Sequence, residues 1–216
     1  GSVGCEMAQA FSRLGSEVTL VGRSATIAPR EDASATAILT RVLTNEGVRV
    51  LTSAAVVRIE DGSAVTDTGI ELGFDRVLIA TGRTPRTASL GLESAGVGLD
   101  DNGFVRVDEH LRTTNPRIWA AGDLTGHPQF THTAGVHGSL AASNAALGLG
   151  RKVSTTGTPR VVFTDPEIAS AGIDVRTARQ RGLRLQTLDH RHLDRAVTEG
   201  ATDGSTTLVL DGKRRI

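Results

Sequence analysis

The chain has 216 residues, with 24 Lys or Arg against 24 Asp or Glu, so its formal net charge at pH 7 is zero. A neutral balance gives no electrostatic reason to bind nucleic acid or an anionic membrane, and only 3% of the residues are aromatic. The single cysteine, Cys5, excludes an internal disulfide framework, and no apolar run reaches membrane-spanning length. We therefore expect a globular, cytoplasmic protein without a nucleic-acid or membrane partner.

The spacing of apolar residues in the first quarter of the chain predicts alternating helices and strands. Apolar residues recur at helical spacing over residues 3–14, and Gly15 is a typical helix end. A buried strand follows over residues 17–21, then an amphipathic helix over residues 31–46 and a short strand over residues 48–51. This order is typical of an α/β fold with a parallel sheet.

The remaining elements are less regular. Residues 55–72 alternate in polarity and are broken by two turn signals, which predicts a small antiparallel excursion. Two apolar runs, residues 77–80 and 118–121, each predict a buried strand that ends at a glycine, and residues 131–149 predict a long helix. Residues 150–159 read as a boundary before further strand, helix and strand signals.

Two glycines at the start of the first helix, Gly1 and Gly4, match the second half of the dinucleotide-binding pattern G-x-G-x-x-G. In that pattern one glycine lets a pyrophosphate approach the backbone and the next lets the helix pack closely on a strand. The helix N-terminus then offers its N–H groups to the phosphates. An ordinary glycine turn has the same spacing, so this pair alone leaves both interpretations open.

The end of the following strand indicates which nucleotide binds. NAD-binding forms carry Asp or Glu there, which binds the ribose hydroxyls, whereas this chain has Gly22 followed by Arg23. An arginine offers a forked, permanently charged donor to a 2′-phosphate, and Arg30 could close on the same group. NADPH is therefore favoured over NADH. The alternative is that both arginines are solvated surface charges.

A second candidate site combines two strand-to-glycine turns. Residues 78–85 run L-I-A-T-G-R-T-P, and residues 118–123 run I-W-A-A-G-D, which places Gly122 and Asp123 at the carboxyl end of a predicted strand. Ligands bind at that edge of open α/β sheets, and an aspartate there can accept hydrogen bonds from a polyol chain. The two turns, in this order after a dinucleotide-type start, favour a second cofactor site over a structural turn.

These strings resemble the pyridine nucleotide-disulfide oxidoreductases over essentially the whole chain. The resemblance implies an α/β fold with a Rossmann-like NAD(P)-binding domain over residues 1–84 that lacks its first strand. Residues 85–152 would be the C-terminal part of the FAD-binding domain, and residues 158–216 the start of an α+β dimerisation domain. The full-length protein would then be a homodimer, and this chain a fragment lacking both ends.

The resemblance also implies roles for individual residues. Asp123 is similar to the aspartate that binds the ribityl chain of FAD, and Thr131 falls where backbone at a helix N-terminus contacts the flavin ring. Ala80 and Gly82 fall where the chain crosses between the cofactors. Glu6 matches an acid near the nicotinamide that pairs with a lysine outside this chain.

Within the family, the stretches 22–32, 123–130 and 161–166 are most similar to the mercuric reductases. The resemblance implies an enzyme that passes hydride from NADPH through FAD to a cysteine pair and on to Hg(II). Two alternatives remain open: a lipoamide dehydrogenase or other disulfide reductase of the same family, and a non-catalytic NADPH-binding module.

The chain itself offers neither a catalytic residue nor a metal site. Cys5 has no partner cysteine, and we expect it to be a small packing residue. His127, His132 and His137 fall five residues apart, a spacing that spreads them over different faces of a helix. We therefore expect the chain alone to be inactive as a reductase.

Overall fold

The structure, a computed structural model, describes residues 1–212, and helices alternate with strands from its first residues. The opening elements are α1 (Ser2–Arg13), β1 (Thr19–Val21), α2 (Ala33–Asn45) and β2 (Arg49–Leu51). β1 and β2 pair in parallel, with Leu20 opposite Val50. The α/β fold predicted from the sequence is confirmed, although β1, α2 and β2 are slightly shorter than their apolar patterns and α1 is shifted by one residue.

The two helices are anchored by their buried faces. α1 begins after Gly1 and buries Cys5 and Ala8, one turn apart. α2 begins at Asp32, whose carboxylate accepts a hydrogen bond from the Ser34 N–H at 2.9 Å, a typical N-cap. The hydrophobic core gathers residues from both helices, from the loop after β1 and from a distant part of the chain: Cys5, Ala8, Ile27, Ala28, Leu39, Leu43, Val48, Val162 and Ile168.

The antiparallel excursion forms as predicted. It consists of β3 (Val56–Glu60), β4 (Ser63–Thr66) and β5 (Glu71–Gly73), with β4 in the middle of the three strands. The tight turn between β3 and β4 contains Gly62, whose φ of 75° lies in the left-handed region that favours glycine.

The two apolar runs predicted as buried strands are not strands. Residues 77–80 lie outside any regular element, and Val77, Leu78 and Ile79 are 50%, 59% and 69% exposed. Residues 118–121 contribute only one isolated bridge, between Arg112 and Trp119. A strand requires a neighbour to pair with its N–H and C=O groups, and an apolar run does not reveal whether that neighbour is present.

By its internal contacts the chain divides into two units. The first unit contains Gly1–Thr81 and the segment from Val161 onward, and the second contains Gly82–Arg160. The predicted domain limits of residues 84, 85, 152 and 158 remain a prediction, and the last four residues of the predicted third domain lie outside the described part of the chain.

The second unit has little regular structure apart from one long helix. That helix, α3 (Thr131–Leu147), ends at Gly148, whose φ of 63° is left-handed, and it confirms the predicted long helix. A single 3₁₀ turn, Asp123–Thr125, lies shortly before it. Leu111, in the loops that precede this turn, is fully buried.

The segment from β6 onward completes the first unit. Its elements are β6 (Arg160–Val162), β7 (Ile168–Ser170), α4 (Val175–Gln180), β8 (Arg184–Asp189), α5 (Asp194–Glu199) and β9 (Ser205–Leu210). β6 pairs with β7, and β8 pairs with β9 in antiparallel fashion. No helix among residues 1–212 is both long and apolar enough to cross a membrane.

Candidate functional site

The N-terminus of α1 presents unpaired backbone donors. Gly1 is the N-cap residue, and no side chain among the described residues caps this end of the helix. The Gly1 carbonyl oxygen accepts the first helical hydrogen bond, from the Cys5 N–H at 3.2 Å. The N–H groups of the first turn therefore point outward, where an anion can bind them and the positive end of the helix dipole favours it.

Gly4 brings α1 into close contact with two extended segments. A Cβ atom on Gly4 would lie 3.6 Å from Cδ1 of Leu20 in β1 and 3.8 Å from Cβ of Ala80. A methyl group would fit at these distances, but any longer side chain would push the helix away from β1. The structure thus brings together Gly4 and Ala80, two of the predicted site residues, around the N-terminal turn of α1.

Arg23 lies two residues after the end of β1, with Gly22 between them. The Gly22 N–H donates to the Leu51 carbonyl at 2.9 Å and the Gly22 carbonyl accepts from Ala54 at 3.0 Å, so the strand pairing fixes the backbone up to this residue. Arg23 and Arg30 are both exposed, and neither forms a hydrogen bond or ion pair within residues 1–212. Their guanidinium groups keep all their donors for a ligand.

Glu6 has a partner that the sequence did not suggest. Its Oε1 atom accepts a hydrogen bond from the backbone N–H of Phe163 at 3.0 Å. The two residues are 157 positions apart, so no local pattern could have predicted the contact. The Glu6 carboxylate is thus held against a segment from the far end of the first unit.

Cys5 is a core residue. It is 1% exposed and packs among the residues of the hydrophobic core. Burial raises the pKa of its thiol above the ordinary value, because the thiolate would lose its hydration. A thiol in this setting is a poor nucleophile.

In the second unit, Gly122 shapes the turn that carries Asp123. Gly122 has φ 81° and ψ −156°, a conformation that side chains disfavour, and a Cβ atom there would lie 3.2 Å from Cβ of Ala134 in α3. The Thr125 hydroxyl donates to the Gly122 carbonyl at 2.8 Å and closes the turn. The turn therefore lies against the first turns of α3, which begins at Thr131.

Asp123 is held by a hydrogen-bonded arginine that sequence reasoning did not single out. Arg83 Nη1 donates to the Gln129 carbonyl at 3.0 Å and lies 3.4 Å from Asp123 Oδ2. The Asp123 side chain stays 49% exposed, so its carboxylate can still accept hydrogen bonds from a ligand. Arg83 comes directly after the predicted crossing residue Gly82, which has a φ of 140° and open space where a Cβ would be.

The N-terminus of α3 resembles that of α1 in its open donors. Phe130 is the N-cap residue, and no side chain of the described residues caps the helix. Thr131 is exposed in the first turn, so its backbone N–H is available to a ligand.

The three histidines do not form a single cluster, since His132 points to a different partner from the other two. The rings of His127 and His137 pack edge to face at 4.8 Å, and burial, with a smaller contribution from His127, lowers the pKa of His137. His132 instead contacts the Pro159 carbonyl through Nε2 at 2.8 Å. Within the described residues, no group of three His, Cys, Asp or Glu side chains is placed to hold a metal ion.

Comparison with known proteins identifies the family of this chain. Residues 1–138 match the family "Pyridine nucleotide-disulphide oxidoreductase", and residues 158–216 match its dimerisation domain. A mercuric reductase of Streptomyces lividans is 42% identical over 98% of this chain and 46% of its own length. A mercuric reductase of Bacillus cereus is 37% identical over 99% of this chain and 35% of its own. A dihydrolipoyl dehydrogenase of Chlamydia pneumoniae is 37% identical over 97% and 46% respectively.

Solved structures show the same relationship. The chain superposes on LpdA from Mycobacterium tuberculosis with a TM-score of 0.89 and 30% identity, covering 100% of this chain and 48% of that one. RclA, an HOCl-induced flavoprotein disulfide reductase of Escherichia coli, gives a TM-score of 0.85 and 33% identity, covering 99% of this chain and 50% of that one. The chain therefore spans half or less of these relatives.

The Gly122 turn can be tested by adding a single methyl group. Gly122→Ala should destabilise the protein by about 1–3 kcal/mol, because alanine disfavours this backbone conformation and its Cβ would crowd Ala134. Gly135→Ala is the matched control, since Gly135 lies in α3 with open space around it, and alanine is the better helix former. Urea unfolding measures both variants. Equal unfolding midpoints would contradict the strain assigned to Gly122.

Proposed function

Because this chain belongs to the pyridine nucleotide-disulphide oxidoreductase family, we propose that it forms the NADPH-binding and flavin-positioning part of a mercuric reductase. In that enzyme, reducing equivalents pass from NADPH through FAD to a cysteine pair and then to Hg(II). The observation that carries the proposal is the end of β1, where Gly22 occupies the place of the acid typical of NAD-binding chains and the next residue, Arg23, is exposed and has no partner among residues 1–212.

The nucleotide site fits NADPH at each of its parts. The uncapped N-terminus of α1, with Gly1 and Gly4, would bind the pyrophosphate. Arg23 would bind the 2′-phosphate together with Arg30, since two guanidinium groups that have no partner among residues 1–212 match a dianion. Glu6, held by the Phe163 N–H, would lie on the nicotinamide side.

The second unit fits the ribityl chain and the ring of FAD. The Asp123 carboxylate would accept hydrogen bonds from polyol hydroxyls, with Arg83 fixing its orientation. The open N–H groups at Thr131 would contact the ring, and the φ of 140° at Gly82 suits a close backbone approach. Ala80, packed on Gly4, would line the crossing between the cofactors.

When bound, the two cofactors supply the hydride and electron-transfer chemistry, and the protein supplies orientation and electrostatics. The thiolate step needs cysteines from outside this chain, because Cys5 is its single cysteine and is buried with a raised pKa. The family's dimerisation domain, matched from residue 158 onward, supports a homodimer as the working form, and we place that homodimer in the cytoplasm.

A second candidate is a dihydrolipoyl dehydrogenase, which the 37% identity to the Chlamydia pneumoniae enzyme favours. Mercuric reductase is preferred because relatives of that name reach 42% identity over almost the whole chain.

The acceptor distinguishes these candidates. We expect the full-length, FAD-loaded protein to oxidise NADPH with thiol-bound Hg(II) and only slowly with lipoamide, as followed by NADPH absorbance. The 216-residue chain alone should show neither activity, because it lacks a cysteine pair. Faster turnover with lipoamide would favour the dehydrogenase, and absence of turnover with any acceptor would favour a non-catalytic NADPH-binding module.

Nucleotide choice is tested at Arg23. In the full-length enzyme, Arg23→Glu should raise the KM for NADPH about tenfold or more, because a carboxylate would replace charge-assisted hydrogen bonds to the 2′-phosphate. The KM for NADH should change far less. Arg49→Glu, an equal charge change at an exposed position of β2, controls for net charge. Equal changes in the KM for NADPH and for NADH would contradict the assignment of Arg23 to the 2′-phosphate.

Flavin retention is tested at Asp123. Asp123→Ala should weaken FAD binding about tenfold or more through loss of a charged acceptor, as measured by the flavin-to-protein ratio and by FAD titration. Asp101→Ala removes another exposed carboxylate of the second unit and should leave FAD binding unchanged. Full flavin content in Asp123→Ala would argue against the ribityl role.

A further inference from the structure

One face of α1 contacts a short irregular segment, residues 163–165, that follows β6. Glu6, Gln9 and Arg13 recur at helical spacing, and each contacts this segment. Glu6 binds the backbone of Phe163, whereas Gln9 and Arg13 bind Asp165. Glu6 and Gln9 each accept a hydrogen bond from a backbone N–H of this segment and Arg13 contacts a side chain, so the three residues line its contact with α1.

Gln9 makes the central and most buried contact. Its Oε1 atom accepts from the Asp165 N–H at 2.7 Å, and its Nε2 atom donates to the Asp165 carbonyl at 2.8 Å. Gln9 is 4% exposed, so its side-chain amide has no ready access to water. One amide side chain thus satisfies both polar groups of one residue, as a neighbouring strand would.

The chemistry of this position demands an amide. A glutamate would keep the acceptor but lose the donor, and it would bring a second carboxylate to Glu46, whose Oε1 lies 3.3 Å from Gln9 Nε2. A methionine side chain has a similar length but has neither the N–H donor nor the carbonyl acceptor of the amide. Methionine would therefore remove both hydrogen bonds that the Gln9 amide makes with the backbone of Asp165, each of which contributes about 0.5–1.5 kcal/mol.

Arg13, on the same face of α1, makes a weaker and solvent-exposed contact with the segment. Its Nη2 atom lies 2.9 Å from Asp165 Oδ2 and 2.6 Å from Glu46 Oε1, and its side chain is 46% exposed. The hydrogen bond from Arg13 is the main cause of the lowered pKa of Glu46. Exposed pairs of this kind contribute little to stability, so Arg13 is a natural control for Gln9.

We propose that Gln9 is a positioning residue for the nicotinamide half of the nucleotide. By fixing residues 163–165 against α1, it sets the place of the Phe163 N–H and therefore of the Glu6 carboxylate that this N–H holds. It does not act on the adenine half, because Arg23 lies on another element, at the end of β1. The inference rests on the proposed NADPH site.

The experiment uses the full-length, FAD-loaded enzyme and separates the two halves of the nucleotide. In Gln9→Met, the limiting rate of flavin reduction at saturating NADPH should fall about tenfold or more, because a small misplacement of the reacting groups is costly. The Kd of 2′,5′-ADP, a probe of the adenine half, should stay within about twofold, since its contacts are unchanged. Arg13→Met should leave both quantities near wild type.

Gln9→Glu adds a pH signature. A protonated glutamic acid has one donor and one acceptor, like the amide, and burial beside Glu46 raises the pKa of the new carboxyl group. The rate of Gln9→Glu relative to wild type should therefore be lowest at high pH and recover as the pH falls through that pKa. If the rate fell because the variant misfolds, and not because the hydrogen bonds between residue 9 and Asp165 are lost, it would not recover in this way.

The outcomes are distinct. An unchanged rate of flavin reduction in Gln9→Met overturns the inference, as does a parallel loss of 2′,5′-ADP affinity or an equal loss in Arg13→Met. If neither NADPH nor NADH reduces the flavin of the wild-type enzyme, the proposed function itself fails. That failure is visible before any variant is made.

Discussion

The close approach of α1 to β1 is the constraint on which the first unit depends. Gly4 allows it, since the nearest atom of Leu20 lies only 3.6 Å from where a Cβ would be. Once the helix is at this distance, Cys5 and Ala8 enter the core with Leu39. The N-terminus of the same helix is not capped by any described side chain, and Arg23 lies two residues after the end of β1. One close contact therefore underlies both the core packing and the position of the proposed anion-binding turn.

The polar face of α1 links this core to a distant part of the chain. Val162 enters the core itself, and the residues that follow it are held by Glu6 and Gln9. The buried amide of Gln9 must be satisfied, and the backbone of Asp165 satisfies it at both atoms. A segment more than 150 positions away is thereby held against the helix that carries Gly4 and Glu6, two of the candidate nucleotide-binding residues.

The second unit has little regular structure apart from α3, and a glycine turn positions its candidate site residue. The Asp123 carboxylate, which we propose binds FAD, is placed by the glycine conformation at Gly122 and by the hydrogen bonds of Arg83. This turn keeps its geometry because α3 packs directly against it at Ala134. Each unit thus contains a helix N-terminus that no described side chain caps, and we propose a cofactor for each.

The sequence by itself determined the α/β order, the long helix α3, and the family to which the motifs belong. These features are local, because apolar periodicity, glycine turns and short strings lie within a few residues of each other. The assignments of Arg23, Asp123 and Thr131 also came from such strings and remain predictions. Tertiary structure alone decided that residues 77–80 are exposed and unpaired, since strand formation depends on a neighbour that an apolar run does not specify. It also decided the partners of Glu6, Gln9 and Asp123, because hydrogen bonds across 157, 156 and 40 residues leave no trace in local spacing.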